Sequence, residues 1–467
     1  MNQSSRTSTV TIAGAGLAGS LLAVVLARRG FDVEVFERFA DQRRVSVPAG
    51  RSINLALAER GRVPLARAGL LDGVDRFALP MAGRMLHEPG KEPVLQRYGQ
   101  REEEVIYSVH RARLNTFLLD AAEQAGARIE FNRRLQTVDF DRRRCILVDD
   151  SGGEHERDFG VLVGTDGAGS ALRSAMSRVM KTGAREEPLD HGYKEFTMPP
   201  DAGGRHVMDP NALHIWPRGG FMMIALPNPD GSFTCTLFLA RKADPDRGEP
   251  GFDQLEDWPE QKAFMEEHFA DAMALLPEVR QEFADNPVGF LGTLRLDRWH
   301  LDDRAVLLGD AAHAIVPFHG QGMNAAFEDV ACLDELVAEH GDDWAKIFPA
   351  FEKIRKPNAN AIADLALKNY REMRSDVRDP RFHLQKELEW ELERRLPGRF
   401  IPGYAMVMFH TLPYAQALER SRIQARVLEE ATKNASSLEE VDIEAAAREA
   451  RAALEPIEMP SGKSGSG

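Results

Sequence analysis

Between Gly309 and Asn324 the sequence GDAAHAIVPFHGQGMN crowds one acid, two histidines, a proline and three glycines into a short span. Such a mixture suits a metal site, a phosphate loop or a hydrolase centre. A metal is not expected, because His313 and His319 are six residues apart with Asp310 as the lone acid and no Glu beside the first His. Gly320, Gly322 and Ala325 satisfy a loose dinucleotide pattern, but no strand immediately precedes them. Near the C-terminus Gly462-Lys463-Ser464 lacks the upstream glycine of a phosphate loop, since Ile457 stands there.

A stronger phosphate signal is GAGLAG, which sets Gly14, Gly16 and Gly19 around Leu17 and Ala18. Gly14 permits the tight turn, Gly16 lets the backbone approach a pyrophosphate, and Gly19 allows close helix packing. Glu37 ends the next apolar run, where an acid holds a ribose hydroxyl; Arg38 after it suits a 2′-phosphate equally well. Two further stretches, VLVGTDGAGSALR (161–173) and LGDAAH (308–313), place an Asp-Gly or Gly-Asp pair at the end of an apolar strand. Open α/β sheets keep their ligands at such strand ends, and a nicotinamide domain needs neither stretch.

The elements that must carry these residues begin with a βαβ unit: TSTVTIAG, LAGSLLAVVLARRG closed by Gly30, and FDVEVFE. It implies a parallel sheet with a right-handed crossover. Residues 76–102 are loop-rich, after which RARLNTFLLDAAEQAG restores a helical period and ARIEFN and RCILVDD read as strands. From 186 to 284, NALHIWP, GFMMIALP and SFTCTLFLA alternate with Pro/Gly turns and predict an antiparallel sheet. Helices follow in AAFEDVACLDELVAEH, FEKIRKPNANAIADLALKNYREM and HLQKELEWELERRL, and a last one is expected from a capping box at Ser437 and Glu440.

The fold class expected is α/β with an α+β second domain. A Rossmann-like parallel-sheet domain would comprise 1–75, 103–185 and 285–375, an antiparallel-sheet substrate domain 76–102 and 186–284, a helical region 376–455, and a flexible tail 456–467. The chain of 467 residues has ordinary globular composition, and its net charge of -14, without a Lys/Arg stripe, argues against nucleic acid. Three scattered cysteines make neither a disulfide framework nor a metal pattern, which fits a reducing, cytoplasmic setting. No signal-peptide order and no long apolar run is present, so no membrane span is expected.

In their order, the three nucleotide motifs resemble the flavin-dependent aromatic hydroxylases of the para-hydroxybenzoate hydroxylase type. The resemblance implies that GAGLAG binds the FAD pyrophosphate, that Asp166, Gly167 and Arg173 lie beside FAD and the NADPH path, and that Gly309 and Asp310 meet the ribityl chain. Gly322, Met323 and Asn324 would start a helix whose free N–H groups face the flavin, and Arg111 would complete the cofactor set. One departure is Ala314, where many relatives carry proline.

RSINLALAERG (51–61), HGYKE (191–195), NALHIWPRG (211–219), LKNYREM (367–373) and RFIPGYAMVMF (399–409) together are similar to the kynurenine 3-monooxygenase family, from about residue 8 to about 450. That likeness implies Arg84 and Tyr98 as the clamp of an amino-acid carboxylate, with Asn369, Glu372 and Tyr404 in the pocket. Phe238, Phe318, His319 and Met373 would line its aromatic part, ordinary core packing being the alternative for Phe238 and Met373. It further implies L-kynurenine as substrate, FAD as bound cofactor, NADPH and O2 as co-substrates, and oxygen transfer through a C4a-hydroperoxide to the ring carbon ortho to the aniline nitrogen. An aniline needs no dedicated base, so no catalytic side chain is assigned, with His319 and Tyr404 as candidates for a proton relay. Eukaryotic members carry a C-terminal anchor, whereas this chain ends in a charged helix and a Gly/Ser tail, so a soluble protein is expected. Its oligomeric state stays open, a homodimer included. The rival readings are a hydroxylase of another aromatic acid and a flavin-free escort protein on the same fold.

Overall fold

A computed structural model describes residues 9–45, 54–374 and 380–457, with the side chains of 373 and 374 excepted. The N-terminal lead, residues 51–53 of RSINLALAERG, and the Gly/Ser tail from 458 onward lie outside the described residues, as does the side chain of Met373.

The first βαβ unit forms as its pattern dictates. Thr9–Ala13 and Asp32–Phe36 pair in parallel across the helix Leu17–Arg28. Val161–Gly164 joins the other side of the first strand, and Ala305–Leu307 lies beyond it, both parallel. Arg128–Glu130 and the antiparallel His300–Leu301 close the two edges of a six-stranded sheet. Its strands end at Gly14, Thr165 and Leu308, so the three nucleotide motifs emerge side by side along one edge.

A seven-stranded sheet faces that edge. Its order is Gly289–Arg295, Arg185–Met198, Phe233–Ala240, Met222–Pro227, Ala212–Pro217, Gly83–Leu86, Val94–Arg97. The loop-rich reading of 76–102 is corrected: Leu79–Met81, Gly83–Leu86 and Val94–Arg97 are strands. Gly83–Leu86 runs parallel to Ala212–Pro217, so the sheet is antiparallel except for that one pair. These strands are only three or four residues long, too short to show a period of two. This sheet has its own core against the helices of 258–285, around Trp216, Phe233, Leu237 and Phe269, apart from the core of the parallel sheet.

The helices Gly322–His340, Trp344–Arg374, Pro380–Arg395, Gly403–Met408 and Tyr414–Thr432 follow. The expected capping box is a correction too. Leu438–Glu440 is a single 3-10 turn, Ser437 makes no cap bond, and the last helix, Ile443–Ala453, is capped instead by Asp442, which accepts from the Ala445 N–H at 2.9 Å. Among the described residues no helix is long and apolar enough to cross a membrane.

Candidate active site

Between the motif edge and the seven-stranded sheet lies a cavity of about 780 Å³. Strand alternation floors it: Tyr193 and Glu195, Thr234, Thr236 and Phe238, Met222, Ile224 and Leu226, then Leu213 and Arg84, come from successive strands. Gly16, Leu17, Ala18, Arg111, Gly167, Arg173, Asp310, Gly322 and Met323 line the opposite half.

That half is built as a dinucleotide cradle. Gly14 has φ +99°, and a Cβ there would stand 2.6 Å from the Thr165 carbonyl oxygen; a Cβ on Gly19 would stand 2.0 Å from the Gly14 oxygen. A Cβ on Gly16 meets nothing within 4 Å, so the space beside it is open for a ligand. Thr165 Oγ1 donates to the Gly14 oxygen at 2.8 Å and Asn115 Nδ2 to the Ala15 oxygen at 3.2 Å, two braces that the sequence did not disclose. Asp310 lies exposed on the cavity wall and, like Arg111, makes no hydrogen bond or ion pair among the described residues. The helix Gly322–His340 begins at the cavity, its N-terminal N–H groups toward it. Open glycine turn, unpartnered carboxylate and helix terminus together fit FAD.

Other residues expected at the cofactor bond chiefly to protein, Arg173 while also lining the cavity. Glu37 accepts the N–H groups of Ala15 at 2.8 Å and Phe39 at 2.9 Å, and Arg38 lies exposed over the Phe39 ring. Asp166 accepts from the N–H groups of Ala171 and Leu172 and starts its own helix; Arg173 reaches the Ala311 carbonyl at 3.0 Å. Asn324 commits its amide to protein, accepting from the Ala58 N–H and donating to the Ala56 and Gly320 carbonyls. Gly309 donates to Asp329 Oδ2, which also meets His313 Nε2 at 2.6 Å, while Oδ1 accepts from Arg355 Nε at 2.6 Å. Burial opposes ionisation of Asp329, but His313 and Arg355 outweigh it and hold the carboxyl at about 2. His313 therefore belongs to the scaffold under Asp310, and Asp329 and Arg355 were not foreseen.

Arg84, Tyr98, Tyr404 and His319 meet at the other end. The Arg84 guanidinium carbon lies 4.7 Å from the Tyr404 ring centre and 5.8 Å from that of Tyr98, the two phenols stack at 5.4 Å, and His319 stacks on Tyr404 at 5.5 Å. Arg84 Nε, the Tyr98 hydroxyl and His319 Nδ1 are buried without a hydrogen-bond partner. Arg84 and the two phenols interact chiefly with one another, and Arg84, Tyr404 and His319 also face the cavity, where a ligand can complete them. Burial raises both phenols, and burial with the Arg84 charge lowers His319 to about 4, so at neutral pH both phenols are donors and the imidazole is uncharged.

Phe238 and Phe318 pack at 5.0 Å, and Phe318 lies 4.4 Å from Tyr370. Asn369 does not line the cavity: its Nδ2 donates to the Phe318 carbonyl at 2.6 Å and holds that ring's backbone. Glu372, also off the cavity wall, lies 3.5 Å from Lys368. The helix Trp344–Arg374 thus carries Arg355 for the cofactor loop and Asn369 and Tyr370 for the aromatic wall. Met222, Ile224, Leu226 and Leu213 complete the apolar lining; each lay in a strand legible from sequence, but which face met the cavity was not.

Residues 7–366 match the model of a family described as FAD binding domain. A kynurenine 3-monooxygenase of Xanthomonas axonopodis pv. citri (strain 306) is 52% identical over 450 residues, covering 96% of this chain and 98% of the relative. The chain belongs to the kynurenine 3-monooxygenase family. A member from Stenotrophomonas maltophilia (strain K279a) is 51% identical over the same share of this chain and 98% of its own. Among solved structures, 2-methyl-3-hydroxypyridine-5-carboxylic acid oxygenase shares the fold at TM-score 0.63 and 19% identity, over 83% of this chain and 98% of its own. PqsL of P. aeruginosa, in complex with 2-aminobenzoylacetate, does so at 0.61 and 21%, over 79% and 99%. Like its family, this chain is an FAD-dependent monooxygenase.

Proposed function

We propose that the enzyme hydroxylates L-kynurenine to 3-hydroxykynurenine with NADPH and O2, a step of tryptophan breakdown in the cytoplasm. The observation that carries this reading is that Arg84 and His319, each with a buried unpartnered nitrogen, line the end of an apolar cavity together with Tyr404, with Tyr98 stacked behind Tyr404. An amino-acid carboxylate would accept two N–H bonds from Arg84 and one O–H bond from the phenol of Tyr404 on the cavity wall or of Tyr98 behind it. The aromatic ring then lies along Phe238 and Phe318, with Met222, Ile224 and Leu226 excluding water.

FAD, when bound, supplies the activation of oxygen. Gly16 admits its pyrophosphate, Asp310 receives the ribityl hydroxyls, and the terminus at Gly322 and Met323 stabilises negative charge on the ring. His319 on the cavity wall can accept the proton leaving the substrate ring, since its imidazole is uncharged and its Nδ1 unpartnered, and Tyr404 stacked on it holds the ring in place. Mass spectrometry of L-kynurenine incubated with enzyme, NADPH and oxygen-18 gas tests the proposal. A product lacking one labelled oxygen on the ring refutes it.

A further inference from the structure

The HGYKE segment lies on the strand Arg185–Met198, and nothing so far explains its glutamate. Alternation sends Lys194 away from the cavity, where Nζ donates to the Phe283 carbonyl at 2.8 Å, and turns Tyr193 and Glu195 into it. Glu195 is 6% exposed, yet its carboxylate makes no hydrogen bond or ion pair among the described residues. A carboxyl recessed in a mostly apolar wall, with its oxygens open only toward the cavity and no protein partner, is costly to ionise, so such a group persists where a ligand or a proton completes it. Burial pushes this one up to about 7, with the Arg111 charge opposing.

Its place in the cavity follows from two relationships. Arg111 lines the cofactor half of the cavity, while Tyr193, two residues before Glu195 on the same strand face, lies 6.4 Å from Phe238 of the aromatic wall, so Glu195 sits where the cofactor half meets that wall. Arg84 is four strands away from Glu195 in the sheet order, about 19 Å at the usual strand spacing. One amino-acid-sized molecule does not span both. The charged and titratable groups around Glu195 are Arg111 from the facing helix, Tyr193 on its own strand, and Glu186, Glu187 and Arg173 farther along the cavity; the neighbouring strand offers only Thr234 and Thr236.

We propose that Glu195 is a proton buffer for the flavin, binding one proton from solvent when the ring is reduced and releasing it on reoxidation, with Arg111 as the fixed positive charge beside it. The balance is simple. A hydride brings two electrons and one proton to the ring and leaves one negative charge, and the proton taken by the Glu195 carboxylate cancels that charge within the cavity. Electrons come from the nicotinamide co-substrate in turnover and from an electrode in the test. The inference rests on the flavin ring lying in this cavity and not on which aromatic compound is hydroxylated, so failure of L-kynurenine turnover would leave it untouched.

The experiment is an anaerobic spectroelectrochemical titration of the FAD-loaded protein between about pH 8 and 9, where the carboxyl is ionised before reduction. With two protons per two electrons the wild-type midpoint potential falls by about 60 mV per pH unit, and in Glu195→Gln, with one proton, by about 30 mV. Equal slopes in the two proteins overturn the proposal. Reduced-minus-oxidised infrared difference spectra of the wild type need no variant: a protonated-carboxyl band gained on reduction supports it, and no such band overturns it.

Discussion

The backbone N–H of Gly309 donates to the carboxylate of Asp329 at 2.9 Å, and this buried bond fixes the residue immediately before Asp310. Asp329 has no solvent exposure and balances Arg355 and His313. Asp329→Asn leaves the Arg355 charge short of its partner, with Glu328 at 3.2 Å as partial compensation. We expect about 3 kcal/mol of lost stability and weakened FAD retention, read by urea unfolding and by flavin content after gel filtration. Unchanged retention would show that the loop does not depend on this brace.

Gly16 and Gly19 differ in what a methyl group would meet. Gly19→Ala collides with the Gly14 carbonyl, so both the fold of the turn and FAD binding should suffer. Gly16→Ala meets no protein atom within 4 Å, so the protein should melt as the wild type does and yet bind FAD at least about tenfold more weakly, because the backbone can no longer approach the pyrophosphate. Normal FAD affinity in Gly16→Ala would place the pyrophosphate elsewhere.

Arg84→Gln should weaken L-kynurenine binding by about 10- to 150-fold, from about 1.5–3 kcal/mol for hydrogen bonds to a charged group, while leaving FAD affinity unchanged. Tyr98→Phe should cost about tenfold at most. Titration of the flavin absorbance with L-kynurenine measures both, and an equal effect on FAD would argue against a carboxylate clamp.

Glu195 makes stability depend on pH with a definite sign. Its carboxyl holds a proton up to about 7 in the folded protein, against 4.5 ordinarily, so the folded chain binds more protons than the unfolded one between those values. The stability it confers is complete below 4.5 and is lost as pH rises toward 7. For the cofactor-free protein the loss amounts to about 3 kcal/mol, and Glu195→Gln should remove it. Urea midpoints of both proteins at about pH 5 and pH 8 give the comparison; a gap that does not widen at the higher pH would contradict it.

The same residue shows why the sequence carries only part of the site. GAGLAG and Gly309-Asp310 are legible because the turn and the open backbone or carboxylate it presents to the cavity lie within a few residues of each other. The first strand, helix and second strand are equally local. Glu195 escapes notice because a charged residue in an alternating strand reads as the solvent face, and only the opposing parallel-sheet unit turns that face inward. Asn324 and Glu37 belong to the expected motifs, but their bonds to Ala58 and Ala15 cross 266 and 22 residues, and no local pattern records that these side chains also brace the protein. Likewise Asn369 holds the Phe318 carbonyl across 51 residues.

Arg355 and Asn369 occupy one helix, fourteen positions apart by number, with Pro357 between them removing a single helix hydrogen bond. At 1.5 Å per residue they are about 21 Å apart along its axis, and each residue turns the helix by about 100°. The helix is therefore a ruler with a phase: it fixes both the separation and the relative bearing of the cofactor loop and the aromatic wall. Substitutions along its outer surface leave that alignment intact, whereas gain or loss of a single residue between the two positions swings one end away from its partner. The length of this segment therefore constrains the site as firmly as its side chains do.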